Sequence, residues 1–557
     1  MMEHTLLWQR YRAGKAYQSA MGFTELFPQC VDFREGRQWP AATKATRSLP
    51  RPVFNFCDKY VRTKRANILN QPVQLVYAPA AASPDARELA QRGARVYSDF
   101  AATLWKELRQ DDLNESFLDD AATLGTGILH YYWDPAADGG ALLGHGALRG
   151  EVLDPLTVLF GDPQEQDVQA QPYILIATRV PVERVRGLAR AEGLPSAQVR
   201  LIAPDDEEPD TYEASRLEDP REKKCTLLTM YYREAGKVYY DRATKSVTLV
   251  CGRSLTPGMP DLAQNGEGAA PDAASVLARG VEHYPLAVMQ WQKRKRSIYG
   301  IGEVEGMIPA QKAVNWLMGM NVLSVQDTAW PKLLVKPGAL RQEVTNTPGE
   351  IIEDHSIAGS GIGYLQTPGI SVSAMALVDK LGALMQDASG VTEVVSGDPY
   401  TSNMAASAII ALQNQAKQPI ISMQKRFYRV LEEVGRIWEE FFKFYYTLPR
   451  PLTVGTAGEN AQVLFVGSDF AAVDYRLEVD AGAGSEYSEA LSQATLDRLF
   501  ERGDIDLDTY VELCPKNVMP FKEQLKRCLA RLREQRAIDE LIAQNGSEVN
   551  EDALSLL

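Results

Sequence analysis

The groups in this chain that could do chemistry are pairs of carboxylates, scattered histidines and cysteines, one glycine triplet and one basic run. Asp111-Asp112 and Asp119-Asp120 have the composition of a metal-dependent nuclease site. Acids beside a helix are far more often a solvated face, and a solvated face is the expectation here. The acidic run Asp205-Asp206-Glu207-Glu208-Pro209-Asp210 lacks the glycine hinge and spaced carboxylates of a calcium loop and predicts a solvated surface loop. The five histidines, His4, His130, His145, His283 and His355, fall in unrelated elements without ligand spacing. Gly359, Gly361 and Gly363 imitate a phosphate cradle, but no helix start follows them, so a flexible turn is expected. No Gly-x-x-x-x-Gly-Lys-Ser/Thr loop is present, which argues against ATP hydrolysis. Six cysteines, none in a Cys-x-x-Cys pair, predict reduced, packed thiols. The expectation is a protein without catalysis, metal or cofactor. Lys293-Arg294-Lys295-Arg296 is the densest basic cluster. One reading is a nucleic-acid patch; the favoured one is an exposed rim that pairs with a neighbouring subunit's acids, since Trp291 and Tyr299 flank the run rather than interleave it as base-stacking platforms would.

The elements that would position such groups centre on residues 297–450. Val304, Met307, Ile308, Val314, Leu317, Met318 and Val325 recur at three- and four-residue steps, predicting a helix from about Glu303 to Thr328. Pro309 lies near its start and Trp330-Pro331 stops it. Three Pro-Gly pairs then punctuate short apolar runs, Leu333-Leu334-Val335 and Ile351-Ile352, which is turn chemistry between short strands. A second helix is expected over about Val372 to Asp387, a polar loop over Ser396–Asn403, and a long helix from Met404 to about Tyr446, kinked near Gln415 by Pro419.

At 557 residues the chain holds material for several domains, and its hydrophobic fraction of 45% and charged fraction of 24% are those of a globular protein. A charged N-terminal segment and the lack of a long apolar run predict a soluble cytoplasmic product with no membrane contact. The formal charge of −14 argues against a globally DNA-gripping surface. Before residue 297, the pattern predicts a helix over residues 1 to about 20, closed by a turn at Phe33–Pro40. Further helices are expected from Asn55 to about Leu69, Asp85–Leu108, Asn114–Thr123 and Val182–Ala191. Strands are expected at Val73–Tyr77, Ile128–Trp133, Gly150–Phe160 with a break at Asp154-Pro155, Tyr173–Val180, Cys225–Glu234 and Lys237–Val250, and a mobile loop at Thr256–Gly280. After the kinked helix come short strands at Pro451–Val454, Gln462–Val466 and Tyr475–Val479. Helices at Ser485–Arg502, Asp508–Leu513 and Pro520–Ala543 and a frayed tail complete an α+β arrangement.

The line Ser297–Leu317, with its Tyr299-Gly300 lead-in and with Gln311 and Asn315 as polar positions, resembles the central region of the portal proteins of tailed bacteriophages. Gly36, Gln38, Trp39, Pro52 and Asn55 are similar to that family's opening turn. The resemblance implies an α+β, multi-domain portal fold: an N-terminal wing (1–296), first stem helix (297–328), β-rich clip (329–371), second stem helix (372–393), tunnel loop (394–403), kinked wing helix with strands (404–484), and a helical crown with tail (485–557). It further implies a ring, by family habit of twelve copies, at one capsid vertex. Twelve copies at −14 each carry about −168 formal charges around the channel, a conduit that should not adhere to DNA. The partners implied are the large terminase, a head-tail adaptor, the major capsid and scaffolding proteins, and double-stranded DNA in transit. The location implied is the virion, after assembly in the host cytoplasm. Met307, Val314, Leu317 and Met320 would form the stem interface between subunits. Lys332, Lys336, Arg341, Glu350, Glu353 and Asp354 in the clip would dock the terminase or adaptor. Ser396, Gly397, Asp398, Pro399, Tyr400, Thr401, Ser402 and Asn403 would face the DNA as a tunnel loop. The other readings of the same elements are a different structural or adaptor protein of a virion and a metal-dependent nuclease.

Overall fold

The computed structural model describes residues 3–44, 46–47, 49–80, 87–137, 146–208, 210, 223–262, 279–329, 333–339, 353, 355, 361–364, 372–391, 418–456, 459–480, 486–514, 519, 525, 528–529 and 531–532. In chain order, its first elements are α1 (Glu3–Ala20), α2 (Phe23–Arg34), α3 (Phe56–Leu69), β1 (Gln74–Pro79), α4 (Arg87–Glu107) and α5 (Gln110–Leu124). Then come β2 (Thr126–Asp134), β3 (Ala147–Val152), β4 (Val158–Phe160), β5 (Tyr173–Pro181), α6 (Val182–Ala191), α7 (Ser196–Arg200), β6 (Lys224–Glu234), β7 (Lys237–Ala243), β8 (Thr248–Ser254) and β9 (Leu286–Gln290). The last are α8 (Glu303–Ala329), β10 (Leu333–Val335), β11 (Ile362–Tyr364), α9 (Val372–Ser389), α10 (Gln418–Phe444), β12 (Arg450–Thr456), β13 (Glu459–Phe465), β14 (Tyr475–Asp480), α11 (Glu486–Glu501) and α12 (Leu507–Leu513). Helix and sheet are mixed, as an α+β class requires. The chain divides into two compact units. One holds Met1–Ile68, Asp111–Tyr131 and Gly150–Val430, the other Leu69–Gln110, Tyr132–Arg149 and Leu431–Leu557.

The larger unit is built on a five-stranded antiparallel meander in the order β4-β5-β6-β7-β8. Because side chains alternate across a strand, each face needs its own cover. Leu7, Trp8 and Tyr11 of α1 pack with Leu159, Leu175, Ala177, Leu228, Met230 and Ala243. Val185 and Ala189 of α6 and Val199 of α7 join Cys225, Leu227, Leu249 and Val250 in a second cluster. The sheet corrects two sequence expectations. Lys237–Val250 is two strands, not one, because Thr244 turns the chain, its N–H donating to the Val247 carbonyl at 2.8 Å. Asp205 is not a solvated acid. Its side chain is 3% exposed, pairs with Arg179 at 2.6 Å, and accepts from the Thr226 N–H and hydroxyl at 2.7 and 2.8 Å. Helix α2 was also not anticipated. Gly22, at φ +75, breaks the helix before it, and Phe23, Phe27, Cys30 and Val31 then form a new buried stripe around an internal Pro28.

The smaller unit has an aromatic core. Phe100 of α4 stacks on Phe465 of β13 with ring centroids 3.9 Å apart, and Phe442 meets both Phe100 and Tyr97 edge-on. Two of its buried phenols find partners: Tyr77 donates to the Gly435 carbonyl and Tyr97 to the Gly467 carbonyl, each at 2.8 Å. Strand β1 pairs antiparallel with β14, so sequence-distant segments close the unit.

In the larger unit, Gly300 lies against the Gly125 backbone so closely that a Cβ there would be 2.2 Å from the Gly125 carbonyl oxygen. Gly300→Ala is therefore expected to lower stability by about 2 kcal/mol or more. Gly306→Ala, on the open face of α8 with nothing within 4 Å, should be neutral or stabilising by up to ~1 kcal/mol. Urea unfolding of the two variants beside the parent chain checks both; equal effects would contradict the backbone contact.

Candidate functional site

Helix α8 is anchored at its start by backbone packing. Gly125 is in the left-handed region at φ +89, and Gly302 approaches the Thr123 carbonyl so closely that a Cβ would be 2.6 Å away. The Thr126 hydroxyl accepts from the Gly300 N–H at 2.9 Å, and the Gly125 carbonyl accepts from Trp291 N–H at 2.9 Å. Tyr299 is buried and donates to the Val158 carbonyl at 3.0 Å while accepting from Gln18 Nε2 at 3.0 Å. Burial raises its pKa far above the phenol range, so it stays protonated as that donor.

The first residue of the helix carries a buried charge. Glu303 Oε1 pairs with Lys64 Nζ at 2.6 Å, with the two side chains 6% and 4% exposed, and Glu303 Oε2 accepts from Trp291 Nε1 at 3.1 Å. An ion pair so removed from water is stable only while both partners are present. The carboxylate also lies in the first turn, where the helix dipole favours it.

A chain of amides fixes the middle of the helix. Gln311 Nε2 donates to the Phe54 carbonyl at 2.7 Å and to Asn315 Oδ1 at 3.0 Å, while its Oε1 accepts from the Phe56 N–H at 3.1 Å. Asn315 Nδ2 donates to Gln38 Oε1 at 2.7 Å. Gln38 Nε2 donates in turn to the Phe33 carbonyl at 2.8 Å and to Asn55 Oδ1 at 3.0 Å. Asn55 Oδ1 also accepts from the Asp58 N–H at 3.1 Å, capping α3. Trp39 donates to the Pro52 carbonyl at 2.9 Å and meets the Trp316 ring edge-on at 5.3 Å. Beneath it Gly319 has no room for a side chain, since a Cβ would be 2.8 Å from the Pro50 carbonyl oxygen. The sequence singled out Gly36, Gln38, Trp39 and Asn55 in one place and Gln311 and Asn315 in another; the fold makes Gln38, Asn55, Gln311 and Asn315 one network.

Beside it lies an ion cluster. Arg34 pairs with Asp58 and, at 3.2 Å, with Asp119, and Arg65 pairs with Glu115 and Asp119, each at 2.8 Å. Asp119 thus carries two structural ion pairs. Burial, with Asp154 and Asp119 nearby, pushes the Asp120 carboxyl up to about 7. Among the described residues no group of three His, Cys, Asp or Glu side chains is arranged to hold a metal ion.

The sequence-predicted sites fare differently. Met307 and Val314 are 7% and 1% exposed, already covered within the chain, whereas Leu317 is half-buried and Met320 is 55% exposed. In the segment expected to be a clip, β10 and β11 pair antiparallel, the Lys336 N–H donates to the Gly361 carbonyl, and Glu353 stands 3.4 Å from His355. Lys332, Arg341, Glu350 and Asp354 lie outside the described residues, as do all of Ser396–Asn403, the kink expected near Gln415, and most of Pro520–Ala543. In the basic run, Arg294 pairs with Glu305 of its own chain at 2.9 Å, and Trp291 and Tyr299 are buried, which removes them as surface platforms. The sequence reading missed the Lys64–Glu303 pair; its signal is an acid at the head of a helix whose following turns are largely apolar.

Helix α8 is thus bolted at its first turns into the larger unit and is followed by the hairpin β10-β11 and by α9, which packs on it. Residues 10–485 match the Phage P22-like portal protein family, and a match over that much of the chain makes this protein a member of it. No curated protein matches the chain.

Two outcomes follow from the anchor. Asn315→Ala strands the buried Gln38 Oε1 without a donor and is expected to cost about 2 kcal/mol, while Lys312→Ala on the exposed side should stay within ~0.5 kcal/mol. Thermal and urea unfolding distinguish them. For Asp120 the folded-state pKa is raised, so between pH ~4 and ~7 the folded chain holds more protons than the unfolded one and stability falls as pH rises. Asp120→Asn should remove that fall, being more stable than the parent by on the order of 1–2 kcal/mol at about pH 8 and equal to it below about pH 4. Parallel pH-dependence in both proteins would contradict the assignment.

Proposed function

We propose that this protein is the ring-forming portal subunit of a tailed phage, a conduit without catalysis of its own. The single observation that supports the ring most directly is the division of the stem. Every fully buried position of α8 falls between Glu303 and Gly319. Beyond that point Met320, Val322 and Val325 are 36–55% exposed, and on α9 so are Met375, Leu377 and Leu384 at 45–55%. Apolar side chains exposed on two neighbouring helices mark an interface. A second copy of the same two helices is the partner that the family implies, in a closed cyclic arrangement.

On this reading the stem pair surrounds a channel for double-stranded DNA during packaging and ejection. The clip hairpin, with its mixed charges, is the surface for terminase and later for a head-tail adaptor. The tunnel loop meets the DNA through neutral hydroxyl and amide groups and a repelling Asp398, contacts that slide rather than grip. The formal charge of −14 per copy works in the same direction.

Met320→Asp tests the ring. The side chain is exposed in the single chain, so the variant should keep its thermal stability, yet in a ring the carboxylate would be buried without a partner. Mass photometry and negative-stain images are expected to show rings for the parent and dissociated subunits for the variant. Rings of normal size from Met320→Asp would place the interface elsewhere.

A further inference from the structure

The larger unit carries a patch of exposed cations that form no ion pair among the described residues. Lys293, Lys295 and Arg296 are exposed on the turn between β9 and α8, with Arg296 held in the left-handed region at φ +51. On the first turns of α10, Lys425 and Arg429 are exposed on one stripe with Gln418 and Ser422, around a shallow hollow of about 310 Å³. Arg426, between them, joins the two segments, its guanidinium donating to the Trp291 carbonyl at 2.5 Å. Among the described residues no carboxylate lies within ion-pairing distance of Lys293, Lys295, Arg296, Lys425 or Arg429. The acids of the adjoining loop are turned to their own backbone: Asp162 accepts from Gln164 N–H at 3.0 Å, Glu165 from Asp167 N–H at 3.0 Å, and Asp167 from Gln169 N–H at 2.9 Å.

In a chain with 73 acids against 59 lysines and arginines, a cluster of exposed cations with no ion pair among the described residues points to a partner outside the chain. We propose that this two-segment patch docks against a carboxylate-rich face of the next copy in the ring. The inference rests on the ring reading above. Charge complementarity favours a second copy, which brings a surplus of carboxylates at the right stoichiometry. A duplex is the poorer fit, because a chain of formal charge −14 repels its phosphates, and more so when several copies assemble.

The test uses the full-length protein. Rings assembled from isotopically labelled and unlabelled copies are treated with a zero-length carbodiimide, and cross-linked peptides are identified by mass spectrometry. Mixed-label links from Lys293, Lys295 or Lys425 to a carboxylate are expected. In parallel, a Lys293→Glu, Lys295→Glu, Lys425→Glu variant should need roughly tenfold or more protein to reach half-assembly at low salt, with the deficit shrinking as salt is raised and melting unchanged. Rings with no inter-copy link from these lysines and normal assembly of the variant overturn the proposal. So does a variant that assembles normally but has lost affinity for duplex DNA, which would make phosphate the partner. A parent protein that is monomeric throughout refutes the ring reading itself, and the patch's partner with it.

Discussion

The structure turns on a row of buried amides. Gln311 and Asn315 of α8 reach Gln38 and Asn55 across more than 250 residues of sequence, and every amide in the row meets a partner of the right polarity. Apolar side chains would hold the helix as firmly, but they tolerate sliding. A donor facing an acceptor does not, because a shift of one turn strands several polar groups away from water at once. The same logic applies at the head of the helix, where Lys64 and Glu303 are stable only as a pair, and at Gly125 and Gly300, where two backbones meet with no side chain between them. These contacts fix the rotation and height of α8 on the larger unit.

Fixing one end has a consequence for the other. The helix runs 27 residues from Glu303 to Ala329, and the anchoring contacts reach only to Gly319, beneath Trp39. In the remaining turns Met320, Val322 and Val325 are 36–55% exposed. In the ring proposed above, a precise anchor would matter because an angular error at the base would grow along the helix and be repeated in every copy.

Much of this was legible in the sequence, for identifiable reasons. The bounds of α8 follow from an apolar period stopped at Trp330-Pro331, and Gln311 and Asn315 stand out as amides in an apolar helix. Periodicity shows which residues share a face but not what covers it, so Met307 and Val314, buried within the chain, read the same as the exposed Met320. Helix α2 was hidden by Gly22 and Pro28, which look like breakers and are here a boundary and a tolerated interior proline. Asp205 read as solvated because its partners, Arg179 and Thr226, come from two different strands that only the sheet brings together.

The central claim is that α8 has two halves with different partners, its own chain up to Gly319 and a neighbouring copy beyond. Hydrogen exchange followed by mass spectrometry, on dissociated subunits and on assembled rings, measures this directly. The account predicts that residues 303–319 are strongly protected in both forms, while residues 320–329 and 375–384 exchange quickly in the free subunit and become protected in the ring. Equal protection of those outer turns in the two forms, or rapid exchange of 303–319 in the free subunit, would contradict it.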